Sequence, residues 1–311
     1  MKRCALVFAV SLALTACQPT TIDTSSNPAQ TPATPAAVTA AQAAPFQVKT
    51  FSPGKNAIFQ VASNLVVGAN EVLLVDAQFA ANDAQRLVEE IRASGKPLKT
   101  IFISHGDPDF YFGLDTVLAA FPEARVIATP ATVAHIRESA EAKLAYWRPI
   151  LDKQAPARVV TPEVFEGKTL NFDGGNIDIF NLEGPTPDRT VLWIPAIRTV
   201  LGGVPVMAGE HVWMADTQTP QSHADWLALL DGIAALKPER VVPGHFAEGA
   251  KQDLDAVRFT GDYIRAFDEE TPKAADAKAL IAAMKQRYPG LAGEGSLDIS
   301  AKVAKGEMKW P

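Results

Sequence analysis

From Ala57 onward, short apolar runs alternate with amphipathic stretches. Ala57-Ile58-Phe59-Gln60-Val61, Ser63-Asn64-Leu65-Val66-Val67 and Glu71-Val72-Leu73-Leu74-Val75-Asp76 read as antiparallel strands, with Gly68-Ala69-Asn70 turning between the last two. Asn82 or Asp83 is placed to cap a helix whose Leu87, Val88 and Ile91 share one face, and Gly95 with Pro97 ends it. Thr100-Ile101-Phe102-Ile103 predicts the next strand. A helix from about Leu114 to Ala120, a strand Arg125-Val126-Ile127-Ala128 and a longer helix from about Ala131 to Leu151 follow, the last burying Val133, Ile136, Leu144 and Trp147.

Strand patterns then return at Thr169-Leu170-Asn171-Phe172, Ile177 to Leu182, Thr190 to Ile194 and His211-Val212-Trp213-Met214. Thr219-Pro220, a cap followed by proline at the first helical position, opens a helix that turns Trp226, Leu229, Leu230 and Ile233 inward. Strand Arg240-Val241-Val242 leads into Pro243-Gly244-His245. Two β-blocks, each followed by helices, predict an α/β (α+β) protein built as a four-layer αβ/βα sandwich over residues 46–250. Residues 251–311 predict a C-terminal helical extension, with helices near Gln252 to Asp268 and Ala274 to Tyr288 and a tail of little pattern.

The N-terminus follows other rules. Lys2 and Arg3 precede the apolar run Ala5 to Leu14, too short to span a bilayer and suited to a secretory signal over residues 1–16. Leu14-Thr15-Ala16-Cys17 resembles the bacterial lipobox, which implies lipidation at Cys17, a bacterial membrane anchor and a domain facing the periplasm. Residues 17–45, rich in Thr, Ser, Ala, Pro and Gln, lack the apolar area to offset ordering and predict a flexible tether. Cys4 lies in the removed segment, so the mature chain has no second thiol for an internal disulfide or a thiolate zinc site.

Hydrophobic content of 47% against 21% charged places the rest among ordinary globular chains. A formal net charge of −6, deepened by loss of Lys2 and Arg3, argues against nucleic acid as a partner and leaves a small-molecule substrate. Nothing in the sequence reports the oligomeric state.

The chemistry concentrates after Ile103. Ser104-His105-Gly106-Asp107-Pro108-Asp109-Phe110-Tyr111-Phe112-Gly113 places a histidine and two carboxylates on the loop at a strand's C-terminal end, where several loops of an α/β protein converge. Asp216 and Pro243-Gly244-His245 end two later strands. In this order, the pieces resemble the motifs of metallo-β-lactamase-fold hydrolases across roughly residues 46–250. That family carries His-x-His-x-Asp-His, a later Gly-His, a bridging aspartate and a final Gly-His. His105, Asp109, Asp216 and His245 match ligands. Asp107 stands for the second histidine, Phe110 for the histidine after the aspartate, and Pro185 for the next one.

The resemblance implies that three carboxylates (Asp107, Asp109, Asp216) meet two imidazoles (His105, His245). Their mutual repulsion calls for a proton or a cation. A divalent metal, zinc first, with manganese or iron also suited to an oxygen-rich set, is the expected cofactor at a reduced, single-metal site. A metal-bound water would attack an ester, lactone or amide carbonyl, with Asp109 as the base. Phe110 and Tyr111 would wall the substrate, and Arg189 would either hold a substrate carboxylate or pair with Asp188 to stiffen its loop. The other reading keeps the fold without chemistry, as a ligand-binding or scaffold lipoprotein. Of the other histidines, His135 and His223 are expected at the surface and His211 on the face away from Asp216.

Overall fold

The computed structural model describes residues 46–310, and the export segment, the tether and Cys17 lie outside them. The first sheet has six strands in sequence order: Gln47–Phe51 (β1), Ser63–Val67 (β2), Val72–Val75 (β3), Leu98–Ile103 (β4), Arg125–Ala128 (β5) and Glu163–Val164 (β6). β1, β2 and β3 pair antiparallel; β3 through β6 pair parallel. The parallel steps need crossovers. Ala81–Ala93 (α1), Pro108–Tyr111 (α2) with Leu114–Ala120 (α3), and Pro130–Leu151 (α4) supply them.

Alternation along these strands sorts the layers. Leu65, Leu74, Ile101 and Ile103 pack on Leu87, Ile91, Val117, Val133 and Ile136 of the helices. Their neighbours Val66, Leu73, Val75 and Phe102 point the other way, into a core shared with the second sheet. That sheet comprises Thr169–Phe172 (β7), Gly175–Phe180 (β8), Val191–Ile194 (β9), Thr199–Leu201 (β10) and Arg240–Val241 (β12), in the order β12-β10-β9-β8-β7. Asp173 and Gly174, both at positive φ, make the two-residue hairpin turn between β7 and β8. Met207–Ala208 (β11) and His245–Phe246 (β13) form a small parallel pair.

Pro220–Ala235 (α5), capped by Thr219, and Leu254–Glu270 (α6) cover the outer face with Trp226, Leu230, Tyr263 and Ile264. The result is the expected helix/sheet/sheet/helix arrangement. Ala277–Arg287 (α7) and Glu294–Ala304 (α8) bury Leu280, Met284, Leu297 and Ala301 in this same core. No helix among the described residues is long and apolar enough to cross a membrane.

Several local expectations differ from the structure. Ala57 to Gln60 form no strand; Ile58 is half exposed, and only Val61 bridges, to His245. The partner of β2 is instead Gln47–Phe51, an edge strand whose polar residues mask its alternation. α1 begins at Ala81 without a side-chain cap, and Asp83 sits in its first turn beside Arg86 at 3.3 Å. His211 to Met214 are irregular; their backbone is held by other elements, with the His211 N–H donating to Ala292 and the Met214 N–H to Ser300. The pairing in that region belongs to β10 and β11, two short runs interrupted by glycines. The tail contains a further helix, α8.

Candidate functional site

A buried network joins the loops that carry the site. Asp76, at φ 66 after β3, accepts from the Ser104 N–H at 2.8 Å and the Ser104 hydroxyl at 2.6 Å. Ser104 Oγ in turn accepts from the Gly203 N–H at 2.6 Å, and Thr190 Oγ1 donates to the Ser104 carbonyl at 3.2 Å. Burial pushes the Asp76 carboxyl up to about 7 despite these donors. Two glycines permit the close approaches. A Cβ on Gly106 would come within 2.5 Å of His135 Cδ2, and one on Gly244 would strike the Gly203 carbonyl. His245 is thereby delivered beside the His105 loop.

Two carboxylate–imidazole pairs result. His105 Nε2 lies 3.1 Å from Asp107 Oδ2, and its Nδ1 lies 3.2 Å from the Asp188 carbonyl. His245 Nε2 lies 2.9 Å from Asp109 Oδ2, with Nδ1 3.8 Å from Glu210 Oε1. Burial works against the charge on both histidines. Asp107 outweighs it at His105, and Asp109 does so at His245, so the pKa of each imidazole is raised above its usual value. The Phe110 ring is wedged between them, edge to face, 5.4 Å from His105 and 5.5 Å from His245.

A cation is already present. Lys143, only 4% exposed on the inner face of α4, donates from its ammonium to Asp107 Oδ1. Its Nζ is also 3.4 Å from His135 Nε2. Burial opposes the lysine's charge, but Asp107 and Asp216 overcome it and raise its pKa. Burial likewise opposes the charge on Asp107, which His105 and Lys143 nonetheless hold well below the usual carboxylate range. His135 is displaced the other way by burial, then by Lys143 and His105, and stays a neutral acceptor.

Asp216 lies in a turn before α5 rather than at the end of a strand. Its Oδ2 accepts from the Trp213 indole N–H and its Oδ1 from that of Trp310 at 2.8 Å. Burial and the nearby Asp107 raise its pKa, with Lys143 acting against them. Phe59, Trp147, Trp213 and Trp310 roof a cavity above Asp107, Asp109, Lys143, Asp216 and His245. It offers about 40 Å³ to water, room for a molecule or two and far less than a substrate needs.

The expected metal ligands His105, Asp107, Asp109, Asp216 and His245 are therefore gathered, but not as a ligand set. Asp107 is bound by an ammonium, each histidine is paired with a carboxylate, at 3.1 Å for His105 and 2.9 Å for His245, and each oxygen of Asp216 accepts from an indole N–H. Among the described residues, no three His, Cys, Asp or Glu are arranged to hold a metal ion. The donor set does not fit zinc, manganese or iron as it stands.

Other expectations also change. Phe110 and Tyr111 are fully buried and wall no substrate; Phe110 separates the two imidazoles. Arg189 does not line the cavity. It is 5% exposed, its guanidinium lies 4.9 Å over Trp226, and Asp188 turns its backbone carbonyl to His105 at 3.2 Å. His135, expected at the surface, stacks on His105 with centroids 6.2 Å apart. His223 is buried against Asp268 at 2.5 Å and the Thr217 carbonyl at 2.7 Å, and His211 bonds Tyr263 at 2.9 Å, away from the site as expected. The functional residues absent from the sequence reading are Lys143, Trp213 and Trp310. A signal existed for Lys143, which stands one turn before Trp147 and two turns after Ile136 on the apolar stripe of α4.

Comparison with known proteins agrees with this architecture. Among solved structures, a metallo-beta-lactamase family protein from Thermus thermophilus is 19% identical, with a TM-score of 0.58 over 83% of this chain and 91% of that one. A metallo-beta-lactamase from Pontibacter korlensis is 18% identical, with a TM-score of 0.52 over 71% of this chain and 93% of that one. The uncharacterized protein YobT of Bacillus subtilis (strain 168) is 36% identical over 78 residues, 25% of this chain. That match spans 32% of YobT's own length. Residues 57–245 match the metallo-beta-lactamase superfamily, whose members are generally hydrolytic and typically hold divalent metal, commonly zinc. With that match extending over more than half its length, the chain belongs to the metallo-beta-lactamase superfamily.

Proposed function

We propose that the protein hydrolyses a small ester, lactone or amide. The observation that carries this reading is the Asp109–His245 pair, 2.9 Å apart, opening on a water-sized cavity beside the Lys143 ammonium. Asp109 accepts from His245 through Oδ2, leaving Oδ1 for a water molecule. As that water adds to the substrate carbonyl, its proton passes to Asp109, and the oxygen that gains negative charge faces the ammonium of Lys143. His245, whose pKa Asp109 raises against burial, is the proton donor for the departing alcohol or amine, and the proton on Asp109 restores it. No step runs through a metal, because the donor set does not fit one.

A panel of p-nitrophenyl esters, lactones and anilides, assayed in EDTA, tests the reading. Turnover is expected with at least one class, and Asp109→Asn lowers kcat by about 10²- to 10⁴-fold. A folded wild-type protein inert toward the whole panel sinks it. The second reading, a non-catalytic ligand-binding protein, is favoured by the way the crevice charges satisfy one another. Saturable binding of a panel member without turnover is its signature.

We propose further that Cys17 carries a lipid anchor at the periplasmic side of a bacterial membrane, supported by Lys2, Arg3 and the apolar run before Cys17. Cys17→Ser should move the protein from the membrane fraction to the soluble one. Unchanged fractionation refutes the anchor.

A further inference from the structure

Three acidic side chains converge at this crevice, and their repulsion demands a compensating positive charge. The superfamily's usual answer is an ion taken from solution. Here the chain supplies a covalently attached one. Lys143 projects from α4 on the apolar stripe that includes Ile136, Ala140 and Trp147, all buried, and its head is buried in the crevice. That head bonds Asp107 and is attracted by Asp216 and Asp109.

The surrounding departures fit the same substitution. A histidine after the aspartate would offer a third imidazole; Phe110 instead fills that volume with an edge-to-face ring that touches both remaining imidazoles. Asp216 is held by an indole N–H on each oxygen, from Trp213 and Trp310, which orients it toward the crevice without an ion. Asp107, in place of a neutral imidazole, gives the ammonium an anionic partner that imidazole would not.

We propose that the Lys143 ammonium takes the place of the metal ion, making this a centre whose cation is built into the chain and which does not hold a divalent ion while Lys143 is present. This goes beyond the hydrolase reading and stands whether or not the crevice turns substrate over. An ammonium supplies one positive charge, N–H donors and no open coordination position. It serves as an electrostatic partner and hydrogen-bond donor, and it cannot generate hydroxide as a metal does.

Metal content and binding, rather than turnover, provide the test. Full-length wild type and Lys143→Arg, which keeps a cation, are purified without chelator, analysed by mass spectrometry for zinc, manganese and iron, and titrated calorimetrically with Zn²⁺ and Mn²⁺. Both should lack a stoichiometric ion and show no saturable uptake at the crevice. Lys143→Leu removes the cation and should take up one ion per chain, and adding Asp107→Ala should abolish that uptake. If Lys143→Leu fails to fold, Lys143→Gln, which retains an amide donor for Asp107, carries the same expectation. A stoichiometric ion in wild type that is lost in Asp107→Ala overturns the proposal. So does a folded Lys143→Leu or Lys143→Gln that binds no ion.

Discussion

Replacing Lys143 with methionine keeps most of the volume of the stem and deletes the ammonium. Asp107 is then left, largely buried, near Asp216 with His105 Nε2 at 3.1 Å and His135 Nε2 at 4.0 Å as its remaining partners. Removing one partner of a buried ion pair typically costs about 3–5 kcal/mol, and the surviving His105 contact points to the lower end, about 3 kcal/mol. Asp107→Asn alone costs less, about 1–2 kcal/mol, because the amide oxygen still accepts from Lys143 while Asp216 and Asp109 continue to balance its charge. If the two side chains form the pair described, the double variant recovers part of the loss, with a coupling of about 1–3 kcal/mol. The assay is urea unfolding of wild type, both single variants and the double variant, followed by circular dichroism in EDTA so that no ion refills the site. Repeating it in 1 M NaCl, where the screening length is about 3 Å, separates a buried pair from an exposed one, whose coupling fades. Additive losses, or a Lys143→Met variant within about 0.5 kcal/mol of wild type, refute the assignment of Lys143 as the cation that stabilises this crevice.

Two further expectations rest on neighbouring groups. Glu210, pushed up to about 7 by burial, keeps its proton in the folded state over a range where the unfolded chain has lost it. Its contribution is complete below about 4.5 and disappears as pH rises through 7, on the order of 3 kcal/mol, and Asp76 acts in the same direction. The melting temperature should therefore fall from pH 5 to pH 8 and fall less steeply in Glu210→Gln; a wild-type melting temperature that climbs over that range contradicts the assignment. Trp310→Phe keeps the ring contacts to Trp213 at 5.1 Å and Tyr146 at 5.7 Å but removes the N–H that Asp216 accepts, a loss of about 1–2 kcal/mol in urea unfolding. Equal stability of Trp310→Phe and wild type shows that the indole N–H contributes nothing there.

The layer order was legible because a strand with one face on each core reads as an uninterrupted apolar run, as in β3 and the end of β4, and because Thr219-Pro220 is a local helix signal that tertiary contacts do not override. Legibility failed where pairing is short or polar. β1 carries Gln47, Lys49 and Thr50 at a sheet edge, and β11 and β13 are two residues each, below the length at which a period exists. Val212 and Met214 are buried by packing on surrounding elements, without a ladder of their own, and apolar patterning alone does not separate these cases.

At the site, the pattern of departures was readable and the electrostatic demand followed from it: three carboxylates and two imidazoles in one crevice require positive charge. The identity of that charge was not readable from the motif, because Lys143 lies on another element and comes to Asp107 only when α4 packs against the first sheet. A lysine on the buried stripe of an amphipathic helix is nonetheless a strong anomaly. Burying an unpaired ammonium is costly enough that its presence implies an anionic partner inside the fold. The lost histidines and the buried lysine are then two sides of one change. Phe110 and Pro185 stand where two imidazole ligands would, while Lys143 and Asp107 install a charge pair that makes the ion unnecessary. A return to metal binding accordingly begins with loss of Lys143. Phe110→His alone, placed between two carboxylate-paired imidazoles and near an ammonium, adds a third imidazole to a crevice whose charges are already partnered.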